Sequence, residues 1–109
     1  MKVARIPRKD PDAKTQKIYA VQYAGGLVKV GQTTQTLTRR KKDLSKVGPI
    51  TNEREWRMRK DSWIDLMALE RECLDRMPMA PCTGREWFNV DFEAACETIN
   101  EVMRENELP

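Results

Sequence analysis

Apolar positions along this chain follow two periods, one of strands and one of helices. The strand formers Ile18, Tyr19, Val21 and Tyr23, then Val28 and Val30, make two short runs separated by Ala24, Gly25 and Gly26, which predicts a β-hairpin. Two registers are open. A two-residue Gly25-Gly26 turn puts Tyr19 and Lys29 on opposite faces, whereas a three-residue loop with Gly26 left-handed puts Tyr19, Val21, Lys29 and Gly31 on one face. From Ile50 to Lys60 the pattern alternates, with Arg54, Trp56 and Met58 on one face and Glu53, Glu55, Arg57 and Arg59 on the other, a third strand with a charged outer side.

Helical spacing accounts for the rest. Thr36 caps a helix running to about Val47, ended by Gly48-Pro49, with a thin stripe of Leu37, Leu44 and Val47. Ser62 and Asp65 open a second helix, Trp63 to Met77, whose stripe is Trp63, Leu66, Met67, Cys73, Leu74 and Met77. Pro78, Pro81 and Gly84 mark a loop before a short strand-like segment, Glu86 to Val90. Asp91 then caps a last helix with Phe92, Ala95, Cys96, Ile99, Val102 and Met103 inward. The expected fold is α+β: a small three-stranded antiparallel sheet, hairpin plus third strand, flanked by about three helices. Residues 17–107 form one domain of a size that supports a single modest core. Residues 1–16, with Pro7, Pro11 and the cations Lys2, Arg5, Arg8, Lys9 and Lys14, read as a basic flexible arm.

Composition narrows the chemistry. With no histidine, Ser-His and Cys-His hydrolase triads are excluded. Cys73, Cys82 and Cys96 form no close pair and are too few for a structural zinc site within one chain. Nothing resembles a membrane span or a signal core, so an intracellular, cytoplasmic protein is expected. The net charge of +3 is unevenly spread: residues 1–82 hold 18 Lys/Arg against 10 Asp/Glu, and residues 83–109 hold 2 against 7. The basic part attracts a polyanion and the acidic last helix faces away from it.

Two side chains stand out against the helical stripes. Arg40 lies between Leu37 and Leu44 on the inward face of the first helix, where a guanidinium needs an anion or a cleft. Glu70 falls among Leu66, Met67, Cys73 and Leu74. Either the two pair as a buried salt bridge, or they join Tyr19 and Lys29 in a phosphate-handling site. In the second case a carboxylate holds a divalent metal, cations stabilise charge on the phosphorus, and a tyrosine replaces histidine as base.

The order of these residues resembles the GIY-YIG endonuclease superfamily, and most closely a phage-type branch whose second signature is Lys-Ile-Gly. Lys17-Ile18-Tyr19 stands for the first signature and Lys29-Val30-Gly31 for the second. An Arg-x-x-x-Leu helix follows as Arg40 to Leu44, a mid-chain Glu as Ala68-Leu69-Glu70, and a late Glu-Trp-Phe as Glu86-Trp87-Phe88. The resemblance implies cleavage of DNA with one Mg²⁺ or Mn²⁺. Tyr19 is then the base or water-orienting phenol, Lys29 assists it or contacts phosphate, Arg40 stabilises the scissile phosphate, and Glu70 holds the metal. It also favours the three-residue hairpin loop. Gly31, Trp87 and Phe88 are structural, and Arg39, Lys41, Lys42, Arg57 and Arg59 track nucleic-acid phosphates. Lys17 replaces the glycine of the first signature, Leu74 stands where that branch commonly has histidine, and either Asn89 or Asn100 matches the late asparagine. The alternative is a catalytically weak or inactive version that binds nucleic acid or a protein partner, as a phage-encoded regulator would. A single small nuclease domain works as a homodimer or with a separate targeting partner.

Overall fold

The computed structural model describes residues 16–34, 36–58, 65–79, 81, 82, 84 and 86–106. Arg59 and Trp63, the Ser62 cap and residues 1–15 of the arm lie outside the described residues. The elements in chain order are β1 (Lys17–Tyr23), β2 (Val28–Thr33), α1 (Leu37–Leu44), β3 (Ile50–Arg57), α2 (Leu66–Asp75), β4 (Trp87–Phe88) and α3 (Phe92–Asn106). The sheet is antiparallel with strand order β3-β1-β2-β4. The α+β class and the three helices agree with the sequence reading. The strand-like segment before the last helix contributes β4, so the sheet has a fourth, two-residue strand at its β2 edge.

The hairpin resolves the register. Gly26 N–H donates to the Tyr23 carbonyl at 2.8 Å and Tyr23 N–H to the Leu27 carbonyl at 2.9 Å, enclosing Ala24, Gly25 and Gly26. Gly26 has φ of +96°, a conformation that favours glycine. Tyr19 therefore opposes Gly31 and Val21 opposes Lys29, with all four on one face.

As the central strand, β1 is covered on both faces and is buried almost throughout. One face, with Ile18, Ala20, Val28, Val30 and Phe88, packs against Leu66, Leu69 and Cys73 of α2 and the full stripe of α3. Truncating a side chain such as Leu69 there would cost about 2–5 kcal/mol. The other face gathers Tyr19, Val21 and Tyr23 around Leu44 of α1, with Leu37, Ile50 and Trp87 at the margin. The Tyr23 hydroxyl donates to the Leu44 carbonyl at 2.8 Å and so ties the last turn of α1 to the sheet.

Three helix expectations need correction. The first helix stops at Leu44, and Val47, expected in its stripe, is 65% exposed. Within α2 the N-cap is Asp65, whose carboxylate accepts from Ala68 N–H at 3.1 Å. Met67, expected inward, is 64% exposed, because the buried row runs through Leu66, Leu69 and Cys73. Glu70 consequently sits half-buried at the edge of that row rather than in its centre. Asp91 caps α3 as expected, accepting from Ala94 N–H at 3.2 Å. Among the described residues no helix is long and apolar enough to cross a membrane.

Candidate active site

The face shared by Tyr19 and Lys29 carries the site. Across it the strands present Glu55, Tyr19 and Gly31 in one row, and Glu53, Val21, Lys29 and Trp87 in the next. Gly31 is there for space as well as for the strand: a Cβ at this position would lie 2.5 Å from the Tyr19 hydroxyl oxygen and 2.6 Å from Cζ. The phenol thus rests directly on the backbone of β2.

Thr36 sets the start of α1, its hydroxyl accepting from Arg39 N–H at 3.2 Å, and the helix then lays Arg40 over the phenol. Arg40 Cζ is 6.0 Å from the Tyr19 ring centroid. Hydrogen bonding to Tyr19 is the largest cause holding the guanidinium above its usual range, and the charges of Asp43 and Glu86 add to it against desolvation. Asp43 is its ion-pair partner, at 3.9 Å; Arg40 and Glu70 do not form the salt bridge that was the alternative. Arg40 Nε is buried with no hydrogen-bond partner, a donor whose desolvation no acceptor offsets. Tyr19 is only 1% exposed. The phenol lies buried beneath Arg40.

Lys29 pairs with Glu86 beside the short β4, and both charges act on Glu70 of α2. Lys29 Nζ is 3.8 Å from the Glu86 carboxylate and 5.7 Å from the Trp87 ring centroid. Trp87 in turn stacks obliquely on Tyr23, with centroids 5.3 Å apart. Phe88 points to the opposite face and is fully buried. Burial, then the charge of Glu86, pushes the Glu70 carboxyl above its usual range, while Lys29 acts in the other direction. Glu70 and Glu86 line one cavity of about 730 Å³ with Met67, Leu74 and Met77.

Glu86 is the residue that sequence reasoning left out of the site. It was noticed only as part of Glu-Trp-Phe, yet its charge reaches Lys29, Arg40 and Glu70. The available signal was its place immediately before Trp87, which pairs with Lys29 across the ladder.

Of the expected phosphate contacts, Arg39 and Lys42 are exposed on α1. Lys41 is held by Glu53 at 2.7 Å, and Arg57 by Glu55 at 3.2 Å. Asn100 is remote from this face: its side-chain oxygen accepts from the Trp56 indole at 2.7 Å, a structural contact between α3 and β3. The cysteines offer no nucleophile in the core, where burial pushes the Cys73 thiol up to about 12 and the Cys96 thiol to about 11.

Glu70, Asp75 and Glu86 line one cavity together with Arg71, and the charge of Glu86 disfavours that of Glu70. Among the described residues no group of three or more His, Cys, Asp or Glu can hold a metal ion. A divalent cation on Glu70 would take its remaining positions from water and phosphate oxygens, the coordination that Mg²⁺ favours.

A four-stranded antiparallel sheet with α1 on one face and α2 and α3 on the other is an α+β fold that suits a GIY-YIG-like domain. The model of the T5orf172 domain matches residues 16–103, and the chain belongs to this phage-associated, GIY-YIG-like family. Neither the curated proteins nor the solved structures compared with the chain match it.

Proposed function

We propose that the chain is a metal-dependent DNA endonuclease that hydrolyses phosphodiester bonds at the face described above. The observation that carries this reading is Arg40, a guanidinium laid over Tyr19 with a buried Nε that has no acceptor. A phosphate oxygen is the acceptor that such a donor fits. Glu70, with a carboxyl pushed upward by burial and by Glu86, suits one Mg²⁺ or Mn²⁺, which would supply Lewis-acid stabilisation and an acidified water.

In this reading Arg40 turns from the phenol to the scissile phosphate and neutralises charge there, which uncovers the Tyr19 hydroxyl. The Tyr19 hydroxyl orients the attacking water, passing its own proton to solvent as it takes one from that water. The water oxygen bonds to phosphorus, one ester P–O bond breaks, and the departing sugar oxygen takes a proton from solvent water. Lys29, one strand away, holds a further phosphate oxygen. Arg39 and Lys42 bind flanking phosphates, which makes DNA affinity fall with salt.

Plasmid nicking in Mg²⁺ or Mn²⁺ tests the proposal, comparing wild type with Arg40→Gln and Glu70→Gln. Each substitution should lower the rate by about a hundredfold or more while DNA binding in EDTA persists. Salt-sensitive DNA binding with no cleavage by the wild type in any divalent metal would replace it with the binding-module reading.

A further inference from the structure

We propose that Trp87 is a positioning residue for Lys29: its indole face holds the ammonium clear of the Glu86 carboxylate, so that the charge stays available to a phosphate. The proposal rests on the nuclease reading, in which Lys29 takes a phosphate oxygen and Trp87 has no part. The Lys29 side chain is only 15% exposed, so two neighbours stand in for much of its water. The Trp87 ring centroid lies 5.7 Å from Nζ, and the Glu86 carboxylate 3.8 Å from it. That second distance is longer than a close charge-assisted hydrogen bond. The two partners differ in what they do to the cation. A carboxylate neutralises it, whereas an aromatic face attracts it and leaves its charge in place.

The ring is itself fixed. Trp87 is the direct partner of Lys29 across the β2–β4 ladder. The β4 backbone is pinned on both sides, because Val30 N–H donates to the Glu86 carbonyl at 3.0 Å and Cys82 N–H to the Trp87 carbonyl at 2.8 Å. Tyr23 meets the indole with centroids 5.3 Å apart and planes at 32°, and the Tyr23 hydroxyl is tied to the Leu44 carbonyl at the end of α1. One aromatic pair thus sets both phosphate cations, Lys29 through Trp87 and the helix carrying Arg40 through Tyr23. Without the indole, Lys29 keeps only Glu86, the ion pair closes, and the charge offered to DNA is lost.

Duplex binding by the full chain in EDTA, measured across salt concentrations, tests this apart from catalysis. Trp87→Leu should weaken binding about fivefold and lower the slope of log K against log salt by about one, whereas Trp87→Phe, which keeps an aromatic face, should stay within about twofold of wild type. In a Lys29→Met background Trp87→Leu should change neither quantity, and in a Glu86→Gln background it should cost less, because Lys29 then has no carboxylate to close on. Nuclear magnetic resonance of the wild type gives a reading that needs no variant: the Lys29 ε-methylene protons should lie upfield of those of the exposed Lys42, shifted by the indole ring current. Equal loss from Trp87→Leu with and without Lys29, or Lys29 shifts no different from those of Lys42, would overturn the role of Trp87 and leave the nuclease reading standing. No salt-sensitive duplex binding by the wild type would overturn both.

Discussion

Gly31→Ala is the most discriminating substitution in the sheet, because its sign depends on one contact. Gly31 does not have positive φ, so alanine fits the backbone, and by reducing unfolded-state freedom it would ordinarily stabilise by about 0.4–1 kcal/mol. Against this, the new Cβ would lie 2.5 Å from the Tyr19 hydroxyl oxygen, 2.6 Å from Cζ and 3.0 Å from Cε2. Comfortable contact needs roughly 3.5 Å or more, so the phenol must move by about 1 Å. A flexible side chain would yield, but the Tyr19 ring is 1% exposed, packed with Val21 and Leu44 and covered by Arg40. Overpacking of this kind costs about 1–3 kcal/mol, which outweighs the entropic gain. We expect a net loss of about 1–2 kcal/mol in urea unfolding, or a melting point several degrees lower. In a Tyr19→Leu background the ring is gone, and Gly31→Ala should become neutral or stabilising. Equal cost in both backgrounds, or a stabilised single variant, would refute the packing argument and with it the placement of the phenol on β2.

Three further expectations follow from the same geometry. The Glu70 carboxyl is held above its usual range chiefly by burial, so the fold favours its protonated form; stability from this group is full below the ordinary carboxylate pKa and is lost as pH rises through the raised one. Glu70→Gln should therefore match wild type near pH 3 and be the more stable protein at neutral pH and above, measured as urea midpoints across pH; a gap that narrows as pH rises would contradict this sign. Tyr23→Phe deletes the buried 2.8 Å hydrogen bond to the Leu44 carbonyl and should cost about 1–2 kcal/mol, with weaker DNA binding in EDTA because α1 also carries Arg40; unchanged stability and binding would show that α1 is held by other means. For Arg39→Gln and Lys42→Gln, both exposed, the slope of log K against log salt should fall by about one for each residue, whereas Lys41→Gln, already paired with Glu53 at 2.7 Å, should change it less.

What the amino-acid order revealed and what it concealed divide along a physical line. Alternation and turn chemistry are local, so the hairpin and the stripe of α3 were legible from the residues, whereas the three-residue loop that gives Tyr19 and Lys29 a shared face was favoured only by the resemblance. Depth is not local. Met67 and Val47 fit their stripes by spacing, but α2 and α1 each present a narrower buried row than an apolar count implies. The same limit explains Glu70, which is carried to a cavity wall by the way α2 packs beside the β2 edge. It explains Glu86 too, because its partners Lys29, Arg40 and Glu70 come from three other elements.

Tyr19 shows what this difference means for chemistry. Register alone puts the phenol on the right face, and the simplest inference is a base open to water. The helix that supplies Arg40 also closes over that phenol, so the two groups cannot be treated as independent participants. While Arg40 stays where it is, Tyr19 is buried and Arg40 Nε has no hydrogen-bond partner. A phosphate that draws Arg40 outward relieves both conditions at once. In the proposed mechanism substrate is thus required to expose the base, and water would meet an uncovered phenol only when a scissile bond is already in place.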